Sequence, residues 1–298
     1  MMNRHQVTGT LPGLVAGRAY GPGHEIASRP MPAADRVICV LGDAHLDVVV
    51  CPAGPIAQET DTPSRTWVGA GGQAANVAAW ICALGGHARL IAARGTDLVA
   101  GLVAAELARR GVDIAGPVVD GATGVVVSLS DNGTSRSMLT DRGVGPLLAA
   151  DALDSDWFTG CGLLHLPAYS LVREPIRGAA LAAAALVPRL SVDLSSTAVL
   201  REHGTGRFRD LLAELRPEIV FGTEAEAELI GDLPGSDLVV KLGASGVRAA
   251  GVVHPALPAH AVDSTGAGDA FAAGYLLGGV SLGLAAAARA VATMGAMP

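Results

Sequence analysis

The chain has 298 residues, 50% of them apolar and 16% charged, which suits one large α/β core or one core with a small appendage. A formal charge of −7 with no Lys/Arg block excludes nucleic acid and an anionic membrane as main partners. Four scattered cysteines with no CxxC argue against structural zinc and for a reduced, cytoplasmic setting.

Residues 1–34 show no periodicity and are rich in Gly and Pro, so a flexible extension without a secretory signal is expected there. No apolar run reaches the roughly 20 residues of a membrane span. The folded domain is expected over 35–298, beginning at "RVICVLGD", which reads as a strand buried on both faces. Residues 47–70 are β-rich and turn-rich without a helix. "GAGGQAANVAAWICALG" then sets glycines before an Ala-rich helix, and "ARLIAARG" and "LVAGLVAAELARRG" follow as strand and helix.

Residues 120–140 return to β pattern, with Asn-Gly in "DNGT" marking a hairpin turn. "GLLHLPAY", "RLSVDLSS", "EIVFGTEAEAELIG" and "DLVVKLGASG" resume the strand–helix alternation. Such alternation predicts a three-layer αβα fold with a mostly parallel sheet. The two β excursions predict a small β-sheet lid over a site. Ligands of such sheets bind at the strands' carboxyl edge, where Gly42-Asp43, Asp193, Gly222-Thr223 and Gly243 should rim one crevice.

"DSTGAGDAFAAGY" carries the sharpest chemistry. Gly266, Ala267 and Gly268 can offer consecutive amides to an anion at a helix start, with Asp269 in the first turn beside them. That pairing suits a phosphoryl group in flight and an acid that takes a proton from the attacking hydroxyl. Gly72 and Asn76 are placed for a second ligand contact. A competing pattern lies in the same stretch. Gly69, Gly71 and Ala74 fit G-x-G-x-x-A, with Asp97 roughly 20 residues on, as in nicotinamide-binding folds, although "PSRTWV" is a polar strand for that role.

Together, "GGQAANVAAWICALG" and "DSTGAGDAFAAGYL" resemble the two signatures of the ribokinase-like carbohydrate kinases, the PfkB family, from about residue 37 onward. The resemblance implies ATP and Mg²⁺ as cofactors, the three-layer ribokinase fold, and a sugar or nucleoside hydroxymethyl group as acceptor. It implies Asp269 as base, the Gly266–Gly268 amides as anion hole, and Asp47, Gly72 and Asn76 as substrate contacts. Thr223, Lys241, Gly243 and Gly246 fall on the nucleotide side. Glu226, or Glu224 in another register, matches an acid that meets Mg²⁺ through water, with Thr223 where Asn is usual. Asp263 and Thr265 match positions that hold a monovalent cation such as K⁺.

Arg136, on the lid hairpin, is a candidate for an acceptor oxygen or phosphate. His45 and His165 are assigned no role. Few aromatics disfavour a nucleoside, and few Lys or Arg in the lid disfavour a sugar already phosphorylated. Open lid edges allow a homodimer. A nucleoside kinase, a nicotinamide-dependent oxidoreductase and a non-catalytic sugar-sensing module are the alternatives.

Overall fold

The computed structural model describes residues 37–131 and 135–298, so the expected 1–34 extension and the 132–134 turn lie outside it. β1 (Val37–Leu41) is buried on both faces, as its unbroken apolar run requires. The chain then leaves for β2 (His45–Pro52) and β3 (Ser64–Gly71) before entering α1 (Gln73–Ala83). β4 (His87–Ile91) lies parallel to β1, and α2 (Leu98–Arg109) leads to the short β5 (Asp113–Ala115). A second excursion forms β6 (Thr123–Asp131) and β7 (Ser135–Gly143).

β8 (Cys161–Pro167) returns beside β1, followed by α3 (Ile176–Ala184) and β9 (Leu190–Asp193). After α4 (Thr197–His203) and α5 (Thr205–Leu215) come β10 (Ile219–Thr223), α6 (Glu224–Ile230) and β11 (Asp237–Lys241). β12 (Val247–Ala249) and β13 (Val252–His254) close the sheet edge, and α7 (Ala267–Val291) ends the order.

The main sheet has nine strands in the order β13-β12-β11-β10-β9-β8-β1-β4-β5. All neighbours from β11 to β5 run parallel, while β12 and β13 pair antiparallel at the edge. β1, β9, β10 and β11 therefore end on one side of the sheet, which brings Asp43, Asp193, Thr223 and Gly243 to a common edge. The second sheet, β3-β2-β6-β7, is the lid: β2 and β6 are parallel, and its other pairs are antiparallel.

Two apolar layers cover the main sheet. One gathers α1, α2 and α7 around Trp80, Phe221, Phe271 and Tyr275, and the other gathers α3, α4 and α5 around Leu164, Phe208 and Leu212. α7 is the one described helix long and apolar enough to cross a membrane, and its buried side belongs to this core. It kinks at Gly278 and Gly279, which leave helical geometry.

The nicotinamide pattern fails on placement. Gly69 and Gly71 lie within a lid strand rather than in a tight turn after a central strand. Asp97 caps α2, accepting from the Ala100 amide at 3.0 Å and from the Thr123 hydroxyl at 2.7 Å, so its carboxylate is spent on the fold.

Candidate active site

The site forms where α1 and α7 begin. Gly72 caps α1 at φ 105°, and a Cβ there would lie 2.6 Å from the Asp43 carbonyl oxygen. Gly266 caps α7 in the left-handed region at φ 73°, and a Cβ there would lie 2.6 Å from Ala296. At both corners the chain turns in a way that a side chain would block. The Gly266, Ala267 and Gly268 amides then open α7, where an anion is favoured.

Asp269, in the first turn of α7, accepts from Asn76 Nδ2 at 2.8 Å. Burial pushes its carboxyl up to about 7; the Asn76 hydrogen bond and Lys241 oppose that rise, and the charges of Asp193 and Asp43 add to it. A carboxyl near neutrality is a stronger base than an ordinary aspartate. Asn76 is buried, and its Oδ1 has no hydrogen-bond partner, so the amide that holds Asp269 keeps an acceptor for a ligand hydroxyl.

Lys241 ends β11 and reaches the same corner. Its Nζ lies 3.3 Å from the position a Cβ on Gly268 would take, and 2.7 Å from Asp193 Oδ2. Asp193 is fully buried, and its Oδ1 accepts from the Ser195 amide at 2.9 Å. Burial lowers the Lys241 pKa, but the Asp193 contact outweighs it, with Asp269 and Glu226 adding to the rise, so it lies above the ordinary lysine value. Lys241 thus stands as a fixed cation beside the helix start. The sequence places Lys241 on the nucleotide side and Asp193 only on the rim; their pairing across β10 emerges in three dimensions.

Thr223 and Glu226 form a capping box on α6. Glu226 Oε2 accepts from the Thr223 amide at 2.7 Å, and Thr223 Oγ1 accepts from the Glu226 amide at 3.4 Å. Glu226 is buried and Oε1 takes no part in the cap, which leaves one oxygen suited to a metal-bound water. Glu224 instead points outward, 3.9 Å from Arg248, so the alternative register is not supported. Gly243 opens the exposed turn Gly243–Ser245, and Gly246 closes it under the backbone of His254.

Asp263 Oδ1 accepts from the Thr265 amide at 2.9 Å and from its hydroxyl at 2.5 Å, and Oδ2 accepts from the Gly295 amide at 3.0 Å. Both oxygens of this carboxylate are therefore engaged in tying the loop to the C-terminal turn.

Asp47 stands on β2 with its carboxyl against Gly71 and its Oδ1 3.0 Å from His45 Nε2. His45 also lies 3.6 Å from Asp43 through Nδ1. Burial works against the imidazolium, but the Asp47 hydrogen bond and the Asp43 charge outweigh it, so His45 titrates above the ordinary histidine value. His165 is different: burial pushes it down to about 4, and its Nδ1 pairs with Ser191 Oγ at 2.8 Å. Arg136 belongs to β7, but its side chain lies outside the described residues.

Residues 35–297 match the pfkB family carbohydrate kinases. The chain is 31% identical over 216 residues to the ATP-dependent ribose-1-phosphate kinase of Halopiger xanaduensis, covering 69% of this chain and 72% of that protein. It is 29% identical over 273 residues to fructokinase-1 of Zea mays, covering 83% and 84%. An uncharacterized sugar kinase from Pyrococcus horikoshii, solved with ATP, has the same fold: TM-score 0.75 at 23% identity, over 88% of this chain and 95% of that one. The chain belongs to the PfkB family and is an ATP-dependent carbohydrate kinase.

Proposed function

We propose that this kinase moves the γ-phosphoryl group of ATP onto a primary hydroxyl of a ribose- or ketose-like monosaccharide, with residues 35–298 as its kinase domain and residues 1–34 as an extension. The acceptor hydroxyl lies between Asp269 and the Gly266–Gly268 amides, and Asp269 takes its proton as the O–P bond forms. The amides and Lys241 bear the charge of the migrating phosphoryl group. Asn76 Oδ1, Asp47 and the backbone at Gly72 orient the sugar. Gly243, Gly246 and Thr223 border the nucleotide. Glu226 Oε1 would meet, through water, the Mg²⁺ bound with ATP, whose chemistry there would be to neutralise the phosphates. The lid excludes water, which competes as acceptor. A monovalent cation such as K⁺ would meet the loop at Asp263 and Thr265, beside the Gly266–Gly268 amides.

The observation that carries this reading is the Asn76–Asp269 contact at 2.8 Å, with the Lys241 ammonium at the same corner. The enzyme works in the cytoplasm, and the exposed lid face bearing Val68 and Leu139 allows a homodimer. An ADP-release assay over pentoses, ketohexoses and nucleosides tests the proposal. Turnover should appear with a pentose or ketohexose rather than a nucleoside and vanish when the sugar's primary hydroxyl is replaced by hydrogen; a folded protein that binds ATP yet turns over no acceptor, neutral or anionic, overturns it.

A further inference from the structure

Arg142 closes the last lid strand and bends into the crevice rather than outward. Its Nη1 lies 3.3 Å from Asp43 Oδ2, and its guanidinium stacks 4.2 Å from the centre of the Tyr169 ring. Asp43 is shared: it also accepts from the Ala74 amide at 3.4 Å and neighbours His45. Ala74 precedes Asn76 by two residues, about 3 Å of helix rise, so Arg142 stands within a sugar's reach of the Asp269 corner.

Beside this pair lies a small open cleft bordered by Asp43, Arg142, Tyr169, Ser170 and Arg173. One guanidinium, that of Arg142, is held against the Asp43 carboxylate there, and Arg173 borders the same cleft. Arg173 is half-exposed, and its ion pair with Glu202 is loose at 3.7 Å. Burial pushes the Tyr169 phenol above its ordinary value, so it borders the cleft uncharged and able to donate. A neutral sugar needs no such wall, because its hydroxyls pair as well with amides and carboxylates. A planar guanidinium held on an aromatic face is suited to two-point contact with an anionic group.

We propose that Arg142, with Arg173 and Tyr169, selects an acceptor sugar that already carries an anionic group, a phosphomonoester or a carboxylate, at the end away from the reacting hydroxyl. This rests on the kinase reading above and specifies its acceptor. It reverses the expectation that the lid holds too few basic residues for a phosphorylated sugar: one arginine, correctly placed, is enough.

The test is kcat/KM by ADP release on the full chain, using acceptors matched to their neutral parents. Ribose 1-phosphate is set against ribose, fructose 1- and 6-phosphate against fructose, and 2-keto-3-deoxygluconate against its neutral deoxyhexose. An anionic acceptor should exceed its parent by about 30-fold or more, with the phosphate and carboxylate arms telling which anion is meant. In Arg142→Gln that ratio should collapse by about 30-fold, with Arg142→Lys in between. Arg173→Gln, at a half-exposed position, provides a second reading if Arg142→Gln does not fold. A neutral parent equal to or better than every anionic partner, or a ratio unchanged in the folded variants, overturns the proposal. Silence with every acceptor instead sinks the kinase reading itself.

Discussion

Asn76 and Asp269 meet from the first turns of two separate helices, amide nitrogen to carboxylate at 2.8 Å. That hydrogen bond draws the Asp269 pKa down against the burial that raises it. Asn76→Ala should therefore move the acid limb of the pH–rate profile to higher pH and lower kcat/KM by roughly 10- to 100-fold. A profile whose limb stays in place would show that the amide does not tune the base.

Asp269→Asn separates chemistry from stability. Turnover should drop by about 10²-fold or more. The folded carboxyl titrates near 7 against an ordinary 3.8, so the native state holds its proton more tightly than the unfolded chain does. Its charged form therefore costs stability, nothing below about pH 4 and the full amount above about pH 7, at most about 4 kcal/mol. The variant should melt higher than the parent at pH 8, with the gap closing toward pH 4. Equal melting temperatures at pH 8 would argue against the strained carboxylate.

Lys241→Met should abolish most turnover and also destabilise the fold by about 3–5 kcal/mol, because it strands the buried Asp193 charge. Lys241→Met combined with Asp193→Asn should regain much of that stability without regaining turnover. Recovery of both by the double variant would reduce Lys241 to a structural partner. Denaturant melts and ADP release on the same preparations make the comparison.

The alternation of apolar runs with Ala-rich helices made the parallel sheet readable in advance, and the glycines at 72 and 266 marked both helix starts. Asp269 and Asn76 were readable for the same reason: each lies within a few residues of a local signal. The Lys241–Asp193 pair was hidden because it spans 48 residues and a whole intervening strand. Glu226 illustrates a different ambiguity. Thr-x-x-Glu ahead of a helix is a capping box as much as a metal motif, and in the fold the two uses share one carboxylate. α4 and α5 follow polar stretches whose helical character depends on packing Leu200, Phe208 and Leu212 into the lower layer. Arg142 sits at a strand end where a solvated side chain is the usual outcome, and the Tyr169 ring and the Asp43 carboxylate that meet it inside come from distant parts of the chain.

The floor beneath the phosphate corner comes from the far end of the chain. Ala296 lies under Gly266, its carbonyl accepts from the Trp80 indole at 2.9 Å, and the neighbouring Gly295 amide steadies Asp263. A bulkier side chain at position 296 would therefore press upward on Gly266 and deform the helix start from a place that touches neither substrate.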